Sequence, residues 1–512
     1  MSMVPRMGRG HVRAVCAATV VGMVAIAGCG TTIPSREWPG ALAQTQSSDP
    51  DLGLTVPTLP AGGSSNAGAT APPGTPQPND TAPATAGAPS GTGPRPSNPA
   101  GSPSVAPGTP RGTRSHAPIE VGTYSLDGGN GALSSLGLSG LVIPDNRPVF
   151  DAFVRYTNAH GGLGGRKIVP VYFTYHEGAN PQTQDAAACS AFTQDHHVAF
   201  VIGGENAGAG ELLPCLASHG VPLIGSGGGG DASYFARYRN YDYEPDQMNF
   251  TTGLEALVAN LKSRGYLNGV KKVGVIQYPG QVYTNAVDNG LAPALKSVGL
   301  EINARYTTGS TTDDSAIASS ASSAELRFAA EGINLVLFMT PGGAAELFFM
   351  TTANIQHYDP KYGIWSADSP YVLEKVAPKS ELANTIGIGY EPGLDVASAQ
   401  DPTAQTAAGK SCLAFGRKLG LNESGLANAL VRAACDDWFP LIRLAKRDPQ
   451  TLDSATALAK GFDSLGSSYQ SASTFAMRFT ADRHDEAHGY RDLAYDHGCS
   501  CFDYVGATHL TD

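Results

Sequence analysis

From Ile119 onward, short apolar runs alternate with longer segments whose apolar residues recur every three or four positions. The runs Ile119–Ser125, Lys167–Tyr175, Val198–Ile202 and Val221–Gly225 predict strands. Between them, Arg147–Asn158 predicts a helix with Phe150, Phe153, Val154 and Thr157 on one face, and Gln182–Gln194 and Glu211–His219 predict two more. A second block follows helix Leu254–Arg264. It reads strand Lys272–Tyr278, helix Tyr283–Val298, strand Glu301–Tyr306, helix Asp314–Glu331, strand Asn334–Met339, helix Gly343–Ile355, and strands Tyr362–Ser366 and Thr385–Tyr390. Such alternation means parallel sheets covered on both faces, so the fold class is α/β with two doubly wound lobes. Lobe boundaries are expected at 117–252 and 253–390. Residues 391–512 should supply crossover helices, over Ala404–Gly420 and Gly425–Lys446, returning to the first lobe. Three strands, Phe475–Phe479, Tyr490–Tyr495 and Cys501–Val505, are expected to complete the sheets.

The first 116 residues break this pattern. Arg6, Arg9 and Arg13 precede the apolar stretch Ala14–Ala27, which is too short to span a bilayer but suits a signal peptide. It ends in Ile26-Ala27-Gly28-Cys29, which resembles the lipobox of bacterial lipoproteins. On that resemblance residues 1–28 are removed and Cys29 is lipidated, which anchors the protein to the outer face of the cell membrane. Residues 29–116 then form a tether: positions 31–116 hold 17 of the 36 Pro and 12 of the 62 Gly, a composition that cannot bury enough apolar surface to offset its ordering entropy. Charge divides similarly. Residues 117–512 carry 27 Lys and Arg against 41 Asp and Glu, which disfavours a nucleic-acid partner and a basic membrane-docking face. The lipid is then the sole membrane contact expected.

Beyond Cys16 and Cys29, six cysteines remain in an exported body: Cys189, Cys215, Cys412, Cys435, Cys499 and Cys501. Local spacing favours the pairs Cys189–Cys215 and Cys412–Cys435, whereas Cys499 and Cys501 either bridge each other or pair elsewhere. No metal, cofactor or catalytic residue is expected. The chain has no P-loop and no Gly-x-Ser-x-Gly elbow. In His484-Asp-Glu-Ala-His488 the glutamate stands outside the zincin positions, so this segment reads as a turn between strands.

The segment from Phe150 through Asn158, Gly161, Gly162 and Gly164 to Arg166 resembles the helix–Asn-x-x-Gly-Gly-x-x-Gly–strand passage of type I solute-binding proteins, the branched-chain amino-acid-binding receptors of ABC importers. Cys189, the strand ending in Gly203-Gly204, and Val221–Ser226 are similar to the same family. The resemblance implies a hinge between the lobes. It also implies an interlobe cleft for a small polar ligand (an amino acid or a related amide or carboxylate), and permease subunits with the ATPase on a separate chain. The loops after the first-lobe strands offer Tyr124, Ser125, Glu205, Asn206, Ser226 and Gly227 as ligand residues, of which Ser226 and Gly227 match a ligand-binding loop of the family by position. In the second lobe Gln281, Tyr283, Thr340, Trp365 and Asp368 follow strands and are candidates by that position alone. Glu205 and Asn206 depart from the Ser or Thr usual in the family, and an ionised Glu205 would repel a ligand carboxylate. Competing readings are tight-turn glycines, a core Trp365 and an Asp368 helix cap. A sensor of the same fold that signals to a partner protein, or a non-transport cell-wall lipoprotein, also remains open at this level.

Overall fold

A computed structural model describes residues 117–127, 144–176, 179–203, 211–225, 228–421, 425–481 and 484–511. The expected signal segment and the tether lie outside these residues. The described residues all belong to one compact unit.

Among the described residues twelve strands build two sheets. The first is fully parallel, in the order β2-β1-β3-β4-β5, with β1 Ile119–Asp127, β2 Ile168–His176, β3 Phe200–Ile202, β4 Leu223–Ile224 and β5 Asp242–Tyr243. The second runs β12-β11-β10-β9-β8-β6-β7. Here β6 Val273–Gln277, β7 Ile302–Thr307, β8 Leu335–Met339, β9 Lys361–Ile364 and β10 Thr385–Gly389 are parallel. The hairpin β11 Gly489–Asp496 and β12 Cys501–Leu510 adds antiparallel to β10. Chain order reverses between β1 and β3 in the first sheet and between β6 and β8 in the second. Ligands of doubly wound sheets bind outside the carboxyl ends of strands at such reversals.

The helix–Asn–Gly-Gly passage has a plain physical basis. Helix Arg147–Ala159 buries Val149, Phe150, Phe153, Val154 and Thr157. Asn158 at its end then clamps β2 in both directions: its Nδ2 donates to the Ile168 carbonyl at 2.9 Å and its Oδ1 accepts from the Ile168 N–H at 2.8 Å. The intervening turn closes tightly. Gly162 has φ +77°, and a Cβ there would overlap the Arg166 carbonyl.

The chain beyond β10 returns to the first lobe. Helix Leu426–Arg447 inserts Trp438 between Phe150 (5.6 Å between ring centroids) and Phe153 (5.7 Å), and joins that lobe's core. The segment 475–479 departs from expectation. It is no strand, and only Met477 bridges to Ala487. Its own N–H groups go to separate loops, Arg478 to the Glu486 carbonyl and Phe479 to the Gly466 carbonyl, and just upstream Asp436 of the long helix holds the backbone. Its carboxylate accepts from the N–H groups of Ala472 and Ser473 and from the hydroxyls of Tyr469, Ser471 and Ser473. The last two strands extend only the second sheet.

Disulfides join Cys189 to Cys215 and Cys412 to Cys435, as the spacing favours, and Cys499 to Cys501 across the β11–β12 turn. Cys412–Cys435 links helix Ala407–Lys418 to the Trp438 helix over 23 residues. In the chain-entropy model a loop of that length stabilises by roughly 3 kcal/mol. Replacing both cysteines by alanine should therefore lower the free energy of unfolding in denaturant titration by about that amount. An unchanged midpoint would show that the bond is incidental.

Candidate functional site

The fold places candidate ligand positions past the carboxyl ends of β1 and β3 in one lobe and of β6 and β8 in the other. On the first-lobe side, Tyr124 is buried in β1 with its ring edge-on to Tyr175 at 5.6 Å, and Ser125 is half-buried beside it. Asn146 Nδ2 donates to the Tyr124 carbonyl at 2.7 Å. Glu205, Asn206, Ser226 and Gly227 lie outside the described residues, as does Cys29.

On the second-lobe side the expected residues divide. Gln281 is exposed at the start of helix Gln281–Ala286. Tyr283 is buried, stacked on Phe250 at 5.9 Å, and burial pushes its hydroxyl up to about 12. Thr340, Trp365 and Asp368 are fully buried behind this wall. Trp365 packs between Phe250 and Tyr390, and its backbone N–H donates to Asp368 Oδ2 at 3.0 Å, so Asp368 caps the turn after β9. Thr340 Oγ1 donates to Glu346 Oε1 at 2.6 Å. Glu346 and Asp368 neighbour each other: burial pushes Glu346 up to about 7, and burial together with the charge of Glu346 holds Asp368 well above the carboxylate range. These three residues thus serve packing and capping, the competing reading for Trp365 and Asp368.

An open pocket between the lobes is lined by Asp231, Ser233, Tyr234 and Arg237 from the first and Gln281, Val282 and Asn285 from the second. Asn285 Nδ2 reaches Asp231 Oδ2 and Ser233 Oγ, each at 3.4 Å, and so links the two walls. Of this lining only Gln281 was foreseen. The signal for the rest was present: Asp231 precedes helix Ala232–Tyr238 as an N-cap, and Asn285 stands one helical turn after Gln281.

Three crossovers connect the lobes, the first over residues 244–249, the second over 390–403 and the third over 484–488, and they hydrogen-bond to one another. In the first, the Glu244 N–H donates to the His484 carbonyl at 2.8 Å, and in return the Glu486 N–H donates to the Glu244 carbonyl at 3.0 Å. Asn249 donates through its backbone N–H and its Nδ2 to Asp485 Oδ2 at 2.9 and 2.7 Å. Gln247 Nε2 donates to Glu391 Oε2 in the second crossover at 3.0 Å. His484 stacks on Tyr243 and pairs with Asp463 at 3.0 Å, while His488 engages Thr511, so the two histidines of the 484–488 segment hold separate partners. Cys189, Cys215 and His219 cluster tightly, but both sulfurs are consumed in the disulfide and offer no thiolate to a metal.

Sequence comparison agrees with this architecture. A family model described as periplasmic binding protein matches residues 132–404, more than half of the 512-residue chain. The chain belongs to the periplasmic binding protein family. Such binding proteins act outside the cytoplasm as solute receptors, and among the described residues of this one no helix is long and apolar enough to cross a membrane. Solved structures share the binding-protein fold. An ABC transporter substrate-binding protein of Aeropyrum pernix aligns with TM-score 0.57 at 14% identity, over 78% of this chain and 97% of its own. A solute-binding protein of an ABC transporter from Rhodopseudomonas palustris BisB5, in complex with 3,4-dihydroxy benzoic acid, aligns with TM-score 0.55 at 13% identity, over 78% and 98%. A possible leucine/isoleucine/valine-binding protein from Rhodopirellula baltica SH 1 aligns with TM-score 0.54 at 12% identity, over 76% and 97%. Among curated proteins, none matches this binding protein.

Proposed function

We propose that this protein is a lipid-anchored solute receptor feeding an ABC importer. It binds one small polar molecule of amino-acid size in the interlobe cleft and closes on it by hinge motion. The observation that carries this reading is a pocket lined from both lobes, by residues that follow β4 in one and β6 in the other, in a fold whose two parallel sheets each reverse chain order. Three short crossovers restrict relative motion to opening and closing, and a ligand that touches both walls favours the closed form. Asn285 supplies such a bridge from the second wall to the first. The first-lobe residues Tyr124, Ser125, Glu205, Asn206, Ser226 and Gly227 and the second-lobe residues Gln281 and Tyr283 are assigned to the cleft. Names given to the similar solved structures, which include a possible branched-chain amino-acid binder and a complex with an aromatic acid, agree with a solute of that size.

A thermal-shift screen of small polar solutes against the full chain tests this. A cognate solute at 100 times its Kd should stabilise the protein by about 2.7 kcal/mol. A panel without a single stabiliser would contradict the receptor reading. The anchor has its own test: Cys29→Ala should lose lipid labelling and leave the membrane fraction or stay unprocessed, and unchanged membrane retention would remove it from the account.

A further inference from the structure

Past the carboxyl end of β4 lies a carboxyl group with no hydrogen-bond partner among the described residues. Asp437, on helix Leu426–Arg447, is only 7% exposed. Its carboxyl packs directly on Gly225, where a Cβ would overlap Oδ1, Cγ and Oδ2. Gly225 follows β4 and donates its N–H to the Tyr243 carbonyl at 2.8 Å, so the acid sits over the carboxyl end of β4. That is where doubly wound sheets hold their ligands. No described residue donates a hydrogen bond to Asp437. The charges acting on it are all carboxyls: Asp246 and Glu244 from the first crossover, and Asp436 from its own helix. Burial and these neighbours hold Asp437 well above the carboxylate range.

A buried acid with this surrounding is costly unless something completes it. Its neighbour Asp436 is already satisfied by five protein donors, whereas Asp437 has none among the described residues. A divalent metal is a poor match, because calcium takes six to eight oxygens and Asp436 and Asp246 are committed: Gln247 and a backbone N–H bond to Asp246. One open carboxyl matches one ammonium or guanidinium group through charge-assisted hydrogen bonds. Once ionised by such a cation, the same group repels a ligand carboxylate.

Resting on the receptor reading above, we infer that Asp437 forms a cation-recognising subsite at the first-lobe end of the cleft, and that the solute carried by this protein bears an ammonium or guanidinium group. A bound cation favours the ionised carboxyl, so binding releases a proton. Affinity therefore rises with pH wherever free Asp437 is protonated, by up to tenfold per pH unit.

The test is calorimetric titration of the full chain with arginine, lysine, agmatine and putrescine. Leucine, glutamate and 3,4-dihydroxybenzoate serve as uncharged-side-chain and anionic probes, and calcium chloride is added alone as a metal probe. At least one cationic probe should bind, more tightly at pH 8 than at pH 6. Asp437→Asn should weaken that probe at least tenfold and flatten its pH profile. Asp151→Asn, whose carboxyl bonds to Tyr172 on an exposed face, should leave it unchanged. A thermal melt of Asp437→Asn checks its fold, which should be no less stable since a buried unpaired acid is removed. Binding of leucine, glutamate or the aromatic acid with Asp437→Asn neutral would overturn the cationic subsite and leave the receptor intact. Stabilisation by calcium alone would also overturn it. If no probe binds, the cationic subsite falls, and a blank solute screen beside it would take the receptor reading as well.

Discussion

Arg432→Ala should cost about 3–5 kcal/mol of folding stability, the largest loss expected from one substitution in this chain. Arg432 is 1% exposed on the long first-lobe helix and forms an ion pair with Asp401, which is equally buried. Its Nη1 also donates to Thr403 Oγ1 and to the Ala472 carbonyl. One guanidinium thus ties that helix to the second crossover and to the approach of the third. Truncation leaves the Asp401 carboxylate buried without its counter-charge, and that uncompensated charge, rather than the lost attraction, dominates the cost. Chemical denaturation of the single variant measures the loss. The double variant Arg432→Met/Asp401→Leu should recover most of it, because well-packed apolar residues often replace a buried pair without penalty. A loss below about 1 kcal/mol in the single variant would mean that water reaches the pair and that the crossover is not fixed there.

The second large effect concerns pH. Burial raises Asp395 to about 8, Glu346 to about 7 and Asp246 to about 6. Asp395 is faced by Tyr504 and Ser366, whose hydroxyls donate to it, by the Glu391 N–H and by the charge of Asp401. Glu346 is faced by Thr340 and Asp368, and Asp246 by Asp436 and Gln247. A carboxyl raised in the folded state holds its proton there while the unfolded chain, near pH 4, has already released it. The folded state then binds more protons, so stability falls as pH rises, by up to about 1.4 kcal/mol per pH unit for each such group. For these three the window opens near pH 4 and closes near 6, 7 and 8 in turn. The melting temperature should therefore be higher near pH 5 than near pH 8. Asp395→Asn should reduce that slope in its upper part. A melting temperature that climbs from pH 5 to pH 8 would contradict the burial of these acids.

Most of the architecture was legible in the chain. Helix 314–331 falls on its expected bounds, and the strands of the second lobe lie within a residue or two of theirs, because fully buried parallel strands are short unbroken apolar runs. The segment 475–479 was misread because its apolar residues look like a strand, while the donors just before it go to the Asp436 side chain, a long-range partner that no local pattern signals. The site was less legible. Sequence position set Thr340, Trp365 and Asp368 at strand ends but carried no information on depth, and all three are sealed behind Phe250 and Tyr283 or bonded to each other's neighbours. Asp437 escaped notice for the opposite reason: it lies more than 200 positions from Gly225 and reads locally as one acid on an amphipathic helix.

The claim on which the rest depends is that one solute closes the two lobes. Isothermal titration of the full chain with a solute that stabilises it tests this directly. The account predicts saturable binding at one solute per chain, weakened about three- to tenfold by Asn285→Ala, which removes the bonds that join the walls. Heats that fail to saturate, or a stoichiometry and affinity indifferent to Asn285, would contradict it.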